Sequence, residues 1–209
     1  TVGTGVWETL KRNAELIFNR SDVQVDIVRI AVRDLNKVRI EGVSTDKFTT
    51  NWQDVVNDPD VNIVVELIGG TDTAFDIVAA ALRAGKPVVT GNKALLAERG
   101  QELFELSNQF NTPIHFEAAV AGGIPIIKTV QDSFVGNSIQ SMVGIINGTS
   151  NYILERMTDA GLGCEEALGE AQQLGYAEAD PTLDVNGWDA AHKAILLATL
   201  AYGFTVDPK

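Results

Sequence analysis

The feature that most constrains the fold is an alternation of short apolar runs with helical patterns. Residues 62–67 (NIVVEL) form a nearly continuous apolar run, and residues 73–84 follow with helical periodicity. The same order continues with strand-like runs at 87–90 and 112–116, on either side of a helical pattern at 94–110. Strands that alternate with helices predict a parallel sheet, and continuous apolar runs are typical of strands covered on both faces.

The first residues of the chain fit this plan. Residues 1–3 (TVG) lead directly into a helical pattern at 6–17, and a β-rich run follows at 23–32. A dinucleotide-binding domain begins with a strand, the glycine motif G-x-G-x-x-G and a helix. On that plan Gly3 is the last glycine of the motif. We therefore expect the first strand and the two phosphate-facing glycines to be missing from this chain.

Glycines and polar residues follow two of the apolar runs, at the point where each predicted strand ends. Open α/β sheets bind ligands at the carboxyl ends of their strands, and glycines there let the backbone approach a flat cofactor. We therefore expect cofactor contacts from Gly69, Gly70, Thr71, Thr90, Asn92 and Lys93.

Arg33 and Asp34 follow the β-rich run at 23–32, where such a domain meets the adenosine ribose. An acidic residue at this point favours the bare 2′-hydroxyl of NAD, whereas an arginine accommodates the 2′-phosphate of NADP. Both cofactors therefore stay open, and Arg33 favours NADP.

The second half of the chain predicts helices at 124–134 and 191–202 and a strand at 139–146 (IQSMVGII). The turn at 147–151 opens a further helix, for which Ser150 is a candidate N-cap. Backbone amides at a helix start suit a carboxylate or pyrophosphate oxygen.

Composition excludes several classes of partner. A chain of 209 residues with 45% apolar residues can bury a full core in one or two domains. Its net charge of −12 argues against binding to nucleic acid or to an anionic membrane surface. No apolar run approaches the roughly 20 residues that span a bilayer. The single cysteine, Cys164, excludes an internal disulfide and suits a reducing cytoplasm.

Charged residues are concentrated between residues 171 and 193. The loop there carries Glu178 and Asp184, and a helix then places Asp189 and Lys193 four residues apart on one face. An exposed acidic loop followed by an i,i+4 ion pair is one interpretation. The other is a site for a small zwitterion with a hydroxyl group, where carboxylates hold the ammonium and the lysine handles the proton of the reacting oxygen.

The order of residues in this segment resembles the signature of the homoserine dehydrogenase family. The matching positions are Ala171, Gly175, Tyr176, Ala177, Asp180, Pro181, Asp184, Gly187, Asp189 and Lys193. Further segments resemble the same family: TVG at 1–3, TGNKALLA at 90–97, EAAVAGGIP at 117–125 and NGTSNYIL at 147–154. The resemblance covers essentially the whole chain, and we expect a protein truncated at both ends.

The resemblance implies an α/β fold in two parts. Residues 1–124 are expected to form a Rossmann-type parallel-sheet domain that binds NADP or NAD. Residues 125–209 are expected to form part of an α+β domain for substrate binding and dimerisation. The implied reaction is the reversible interconversion of homoserine and aspartate 4-semialdehyde in threonine, methionine and isoleucine biosynthesis. The expected enzyme is a cytoplasmic homodimer.

The resemblance also implies roles for particular residues. Catalysis is expected from Lys193, Lys93 and Asp189, with the two lysines meeting over one substrate alcohol and the choice of base left open. Substrate contacts are expected from Glu178, Asp184, Gly175, Tyr176 and Asn151. Cofactor contacts are expected from Thr1, Val2, Gly3, Arg33 and Lys47, in addition to the residues at the strand ends. A Na⁺ or similar monovalent cation is expected at Glu117 and at the backbone carbonyls of Val120, Gly122 and Ile124.

Two alternatives differ from this interpretation. The first is another two-domain NAD(P)-dependent semialdehyde or amino-acid dehydrogenase. Such an enzyme would lack the segment at 171–193, or would need a catalytic cysteine or histidine at a sheet edge, and neither condition is apparent. The second is a non-catalytic dimerising fragment, because the pyrophosphate glycines are missing.

Replacing Arg33 tests the assignment of the ribose site. Arg33→Ala is expected to weaken NADP⁺ binding more than NAD⁺ binding, because only NADP⁺ carries the 2′-phosphate that the guanidinium would pair with. Titration of the full-length enzyme with each cofactor measures both dissociation constants. Equal losses for the two cofactors would remove Arg33 from the ribose site.

Overall fold

The computed structural model describes residues 2–37, 42–204 and 206. The chain divides into two compact units, one formed by Thr1–Leu95 with Arg99–His115 and the other by Leu96–Glu98 with Phe116–Lys209. This division falls at residues 115 and 116, nine residues before the boundary expected from the sequence. Thr1, which the sequence assigns to the cofactor, lies outside the described residues.

The first unit alternates helices with short strands. Its helices are α1 (Val2–Arg12), α2 (Ala14–Ser21), α3 (Gln53–Val56), α4 (Asp72–Arg83) and α5 (Lys93–Phe110). Its strands are β1 (Ile30–Ala31), β2 (Phe48–Thr49), β3 (Val64–Glu66), β4 (Val88–Thr90) and β5 (Ile114–His115). The order β3-α4-β4-α5-β5 is the alternation that the apolar runs predict.

Strands β3, β4 and β5 form a parallel sheet in sequence order. Val64 pairs with Val88, and Glu66 pairs with Thr90, so the two strands end side by side. Helix α4 packs on this pair and buries an apolar face that includes Val78 and Leu82. The loops after β3 and β4 therefore leave the same edge of the sheet.

The sequence predicts that these strands are covered on both faces, and the described structure covers one. Val64 and Val88 are buried, whereas Val65 is 47% exposed and Val89 is 37% exposed. Successive side chains of a strand point to opposite faces of the sheet. The apolar side chains on one face of this sheet are therefore buried, and those on the other face are partly exposed.

The β-rich run at 23–32 is mostly not a strand. Only β1 forms a ladder, in parallel register with β2, and Val32 N–H donates to the Thr49 carbonyl just beyond it. β2 has only two residues and follows a 3₁₀ turn at Thr45–Lys47, so β1 cannot extend its pairing along a longer neighbouring strand. The residues before β1 are β-rich in composition, and their backbone has no strand to pair with among the described residues.

The second unit is helical in its described part. Its helices are α6 (Ile126–Lys128), α7 (Gly148–Asp159), α8 (Cys164–Gln173), α9 (Thr182–Val185) and α10 (Trp188–Tyr202), with a 3₁₀ turn at Glu117–Ala119 and a π-helical turn at Thr129–Ser133. Helices α7 and α8 pack together around Ile153, Ala167, Ala171 and Ala177. Small alanines on α8 let the two helices approach closely.

Two predictions for this unit are wrong. Residues 139–146 form no strand, and Val143 and Ile145 are 99% and 75% exposed. A strand needs a neighbour for its hydrogen bonds, and no described segment pairs with this one. The helix predicted at 124–134 is shorter and irregular, since Pro125 precedes α6 and a π-helical turn follows it.

The most apolar helix is α10, which has 15 residues. At 1.5 Å per residue it is about 22 Å long, shorter than the roughly 30 Å hydrocarbon layer of a bilayer. No helix within the described ranges is both long enough and apolar enough to cross a membrane.

Truncating Leu82 tests the core beneath the sheet. Leu82 is fully buried, so Leu82→Ala is expected to lower the free energy of unfolding by about 2–5 kcal/mol through lost burial and a cavity. Leu16→Ala is the matched control, because Leu16 lies on a helix of the same unit and is 48% exposed. Urea unfolding of both variants measures the difference. Equal small losses would mean that α4 does not pack as described.

Candidate active site

The centre of the candidate site is an ion pair on helix α10. Lys193 Nζ lies 2.6 Å from Asp189 Oδ2, one helical turn away. The ammonium also donates to the Ile146 carbonyl at 2.7 Å. The Asp189 side chain is 9% exposed and that of Lys193 is 18% exposed. This pair is therefore shielded from water, unlike an ordinary i,i+4 pair on a helix surface.

Asn147 joins this pair to the acidic loop. Its Nδ2 donates to Asp189 Oδ2 at 2.7 Å and to Asp184 Oδ1 at 2.8 Å. Its Oδ1 accepts from the Ser150 amide at 2.7 Å and so caps helix α7. The residue is buried, and its single carboxamide satisfies two carboxylates and one helix end.

The sequence suggested Ser150 as the cap of α7, and this is wrong. Asn147 is the N-cap, and the Ser150 hydroxyl donates to the Asp184 carbonyl at 3.0 Å. Thr149 Oγ1 donates to the Tyr176 carbonyl at 2.8 Å. Side-chain contacts from Asn147, Thr149 and Ser150 thus hold the turn that opens α7 against the segment at 171–193.

The network borders a cavity of about 490 Å³. Its lining residues come from the α7 turn, the loop after α8, α9 and α10, and they are Asn147, Gly148, Thr149, Asn151, Tyr152, Glu155, Tyr176, Asp184, Asp189 and Lys193. A cavity of this size admits a small organic molecule, and the charged side chains of Asp184, Asp189 and Lys193 on its border suit a charged one.

Two tyrosines form the aromatic side of this cavity. The rings of Tyr152 and Tyr176 lie 5.0 Å apart at a tilt of 53°. Desolvation raises the pKa of the Tyr152 phenol, and the negative charge of Glu170 raises this pKa further. A hydrogen bond between the Tyr152 side chain and Glu170 raises the pKa of the phenol as well.

The cavity brings together five of the residues predicted for catalysis and substrate binding: Asn151, Tyr176, Asp184, Asp189 and Lys193. Glu178 and Gly175 do not line it. Gly175 adopts a left-handed conformation (φ 77°) that ends α8, and its amide bonds to the Gln172 carbonyl. Glu178 is exposed, and its backbone carbonyl accepts from Gln172 Nε2 at 3.2 Å. The expected contact of Glu178 with substrate stays a prediction.

In the first unit, the predicted cofactor residues share the edge of the three-stranded sheet. Gly69 and Gly70 follow β3 with φ values of 73° and 75°, which glycine adopts without strain. Asn92 Nδ2 donates to the Gly70 carbonyl at 2.7 Å, and Asn92 Oδ1 caps α5 through the Leu95 amide. Open glycine backbone beside a helix start fits a dinucleotide.

Glu66, a residue that the sequence interpretation missed, connects the two loops of this edge. Its carboxylate is buried and accepts from the Ile68 amide at 2.8 Å and from the Thr90 hydroxyl at 2.6 Å. Thr90 Oγ1 in turn accepts from the Asn92 amide at 3.0 Å. The available signal was a carboxylate inside an apolar strand, because a buried charge needs donors around it.

Two further predicted cofactor residues, Arg33 and Lys47, lie near the two-stranded sheet of β1 and β2. Arg33 is exposed in the bend after β1. Lys47 precedes β2, and its ammonium donates to the Ile27 carbonyl at 2.6 Å. Lys47 therefore lies at the amino ends of the parallel strands β1 and β2, whereas Arg33 follows the carboxyl end of β1. This position does not support the expected contact of Lys47 with the cofactor, which stays a prediction.

The start of α1 shows no close packing. Val2 is 69% exposed, and a Cβ added at Gly3 would meet no atom within 4 Å. The assignment of Val2 and Gly3 to the cofactor stays a prediction. Thr71, at the start of α4, accepts from the Phe75 amide through its carbonyl.

The residues expected to hold a monovalent cation supply oxygens, and two of the four already accept hydrogen bonds. Glu117 accepts from the amides of Ile127 and Lys128, each at 2.9 Å. The Ile124 carbonyl accepts from the Ile126 amide at 2.8 Å. Across the described residues, no cluster of three or more histidine, cysteine or acidic side chains has metal-binding geometry. Cation binding at Glu117, Val120, Gly122 and Ile124 stays a prediction.

The two predicted catalytic lysines belong to different units. Lys93 begins α5 directly after the Asn92 cap, and Lys193 lies in the second turn of α10. Each is described within its own unit, and their meeting over one substrate stays a prediction.

Comparison with known proteins decides the family. The model for the homoserine dehydrogenase NAD-binding domain matches residues 1–117, and the homoserine dehydrogenase model matches residues 125–209. The chain belongs to the homoserine dehydrogenase family. Its fold is accordingly α/β with a Rossmann-type nucleotide-binding domain, and the resemblance read from the sequence motifs is confirmed.

Individual relatives agree with this assignment. The chain is 46% identical to homoserine dehydrogenase from Synechocystis over 97% of its length, and 46% identical to the one from Pseudomonas aeruginosa over 99%. A solved homoserine dehydrogenase from Thiobacillus denitrificans superposes with a TM-score of 0.88 at 49% identity, with 97% of this chain and 47% of that chain covered. The chain spans about half the length of these curated relatives, 46% and 47%.

Asn147 offers a direct test of the described network. Asn147→Ala removes a helix cap and a donor shared by two carboxylates, so the free energy of unfolding is expected to fall by about 2–3 kcal/mol. Asn147→Asp keeps a capping oxygen but places a third carboxylate beside Asp184 and Asp189, and at neutral pH it is expected to lose at least as much.

Urea unfolding at pH 7 measures both changes, with Asn137→Ala as the control because Asn137 is exposed. If Asn147→Asp were as stable as the unsubstituted protein, capping alone would explain the residue and the carboxylate contacts would be unimportant.

Proposed function

We propose that this chain forms part of a homoserine dehydrogenase that interconverts homoserine and aspartate 4-semialdehyde with NADP or NAD. The supporting observation is the shielded Asp189–Lys193 pair, held by Asn147 at the border of a polar cavity. A surface ion pair has no need of a buried partner or a cavity. A proton-transfer group next to a small charged substrate needs both.

Lys193 moves the proton of the reaction. In the reducing direction its ammonium donates a proton to the oxygen that forms when hydride reaches the aldehyde carbon. In the oxidising direction the neutral amine accepts the hydroxyl proton of homoserine. When bound, the nicotinamide supplies or takes up the hydride. Asp189 holds the Lys193 side chain one helical turn away and balances its charge in the protonated state.

Acidic residues hold the amino group of the substrate. Asp184 lines the cavity, and Asn147 Nδ2 fixes one of its carboxylate oxygens. We assign Glu178 to the same ammonium on the family resemblance. Asn151 and Tyr176, at the same cavity, supply polar contacts to the rest of the four-carbon substrate. This assignment fits the acidic lining, because an ammonium group needs compensating negative charge when it leaves water.

The first unit binds the cofactor. Gly69, Gly70, Thr71, Thr90 and Asn92 lie at the carboxyl edge of a parallel sheet, where nucleotides bind in this class of fold. A related hyperthermophilic archaeal homoserine dehydrogenase was solved in complex with NADPH, and it matches this chain at 34% identity with a TM-score of 0.68. Arg33 and this relative favour NADP. Lys93 contributes to the cofactor and to the reacting hydroxyl.

The remaining assignments concern assembly and place. We infer a two-domain division near residue 124, a homodimer, a cytoplasmic location and a monovalent cation at Glu117, Val120, Gly122 and Ile124. The exposed Val143 and Ile145 support an interface that covers residues 139–146. The single Cys164 supports a reducing compartment.

Replacing Lys193 tests the proposed chemistry. Lys193→Ala in the full-length enzyme is expected to lower kcat for homoserine oxidation by on the order of 10²-fold or more, the range for loss of acid–base catalysis. Lys128→Ala is the matched control, because Lys128 also pairs with a carboxylate four residues away, Asp132, but is 75% exposed. Near-normal turnover by Lys193→Ala would refute the role of the lysine.

The same assay separates the alternatives. Homoserine with NADP⁺ or NAD⁺ is tested on the full-length enzyme and on residues 1–209, and turnover by the full-length enzyme supports the proposal. Turnover of a different amino alcohol or semialdehyde only would indicate another dehydrogenase. Turnover by the full-length enzyme alone would mean that residues 1–209 lack part of the active site.

A further inference from the structure

Glu66 is a buried carboxylate for which the proposed chemistry has no use. It is the last residue of β3 and is 1% exposed. Burial of a charge is costly unless hydrogen-bond donors surround it. An apolar residue at this position would extend the buried row of Val64 without that cost. The carboxylate therefore needs an explanation from what it contacts.

Its two oxygens bind two different loops. Oε1 accepts from the Ile68 amide, which precedes the glycines after β3. Oε2 accepts from the hydroxyl of Thr90, the last residue of β4, which is also 1% exposed. One side chain thus links the loop that contains Gly69 and Gly70 to the loop that leads into α5.

Further hydrogen bonds close this link into a ring. The Thr90 hydroxyl accepts from the Asn92 amide, and Asn92 Nδ2 donates back to the Gly70 carbonyl. Asn92 Oδ1 caps α5, and Lys93 is the first residue of that helix. A carboxylate only accepts hydrogen bonds, so the Thr90 hydroxyl points its hydrogen at Glu66. The lone pairs of Thr90 Oγ1 are then oriented to accept from the Asn92 amide.

We propose that Glu66 is a positioning residue for the cofactor edge of the sheet, acting through Ile68 and Thr90 to hold the two loops in the geometry that binds the dinucleotide. This inference rests on the proposed function only in so far as the edge binds NADP or NAD. It does not depend on the identity of the substrate. Hydrogen bonds to an ionised acceptor are roughly twice as strong as neutral ones, which favours glutamate over glutamine at this point.

The test uses hydrogen exchange and cofactor affinity, and neither readout requires turnover. Glu66→Ala removes both acceptors, and Thr90→Val removes the hydroxyl while keeping the side-chain shape. Glu105→Ala is the control, because Glu105 is an exposed glutamate on α5. Amide exchange is measured on the cofactor-free full-length enzyme at residues 68–70 and 92. The dissociation constant for NADPH is measured by fluorescence.

We expect Glu66→Ala to speed exchange at Ile68 and Asn92 and to weaken NADPH binding about 10-fold, a change typical of losing a hydrogen bond to a charged group. Thr90→Val is expected to expose Asn92 and to weaken binding similarly. The double variant is expected to lose no more than about the larger single loss, because both changes break one network. Thr90→Ser is expected to recover most of the loss.

Unchanged NADPH affinity and unchanged exchange in Thr90→Val, or a lower melting temperature as the only effect of Glu66→Ala, would overturn the inference. If Glu66→Ala does not fold, Thr90→Val and Thr90→Ser decide by the same readouts. An enzyme that binds NADPH but does not oxidise homoserine would refute the proposed substrate and leave this inference standing. Absence of any dinucleotide binding would refute both.

Discussion

In the second unit, the hydrogen bonds of one side-chain carboxamide, that of Asn147, hold the candidate active site together. Asn147 donates to Asp184 and Asp189 through one nitrogen and caps α7 through its oxygen. Without it, two carboxylates would face each other without the shared donor, and the turn that opens α7 would lose its cap. Because Asp189 also accepts from Lys193, the position of the ammonium follows from the same contact. The buried Asn147 side chain therefore contributes both to the stability of α7 and to the position of the Lys193 ammonium.

In the first unit, a buried acceptor, the carboxylate of Glu66, connects two segments in a similar way. Glu66 is an acceptor between two donor loops, whereas Asn147 is a donor between two acceptors. In both cases a buried polar side chain at the end of an element connects segments that are far apart in sequence. Such networks are stabilising when every member is satisfied, and among the described residues no buried side-chain nitrogen or oxygen lacks a partner. Each network also lies beside the residues assigned to ligand binding.

Much of this could be predicted from the sequence where a local pattern decides the structure. The periodicity around residues 62–110 predicted β3, α4, β4 and α5, and the spacing of Asp189 and Lys193 predicted their pairing on one helix face. The strands expected at 23–32 and 139–146 are largely absent, because β-propensity describes a segment and pairing requires a partner elsewhere. Two site residues that the sequence did not predict, Glu66 and Asn147, likewise have hydrogen-bond partners that are distant in sequence.

Glu66 and Asn147 illustrate that limit. The donors of Glu66 include Thr90, 24 residues away, and the acceptors of Asn147 lie 37 and 42 residues away. Asn147 lies in a family segment that does not say which atoms meet, and Glu66 lies outside the family segments. Gly175 shows the converse, since it belongs to the motif and nevertheless does not line the cavity.

Chemical rescue of a Lys193 variant can show whether the amine of Lys193 transfers the proton. In Lys193→Ala, added small primary amines can occupy the vacated space and replace the missing group. If Lys193 transfers the proton, homoserine oxidation recovers with amine concentration and the rescued rate rises with amine basicity, as expected for proton transfer in the transition state. Recovery that is absent, or equal for amines of different basicity and similar size, would contradict it.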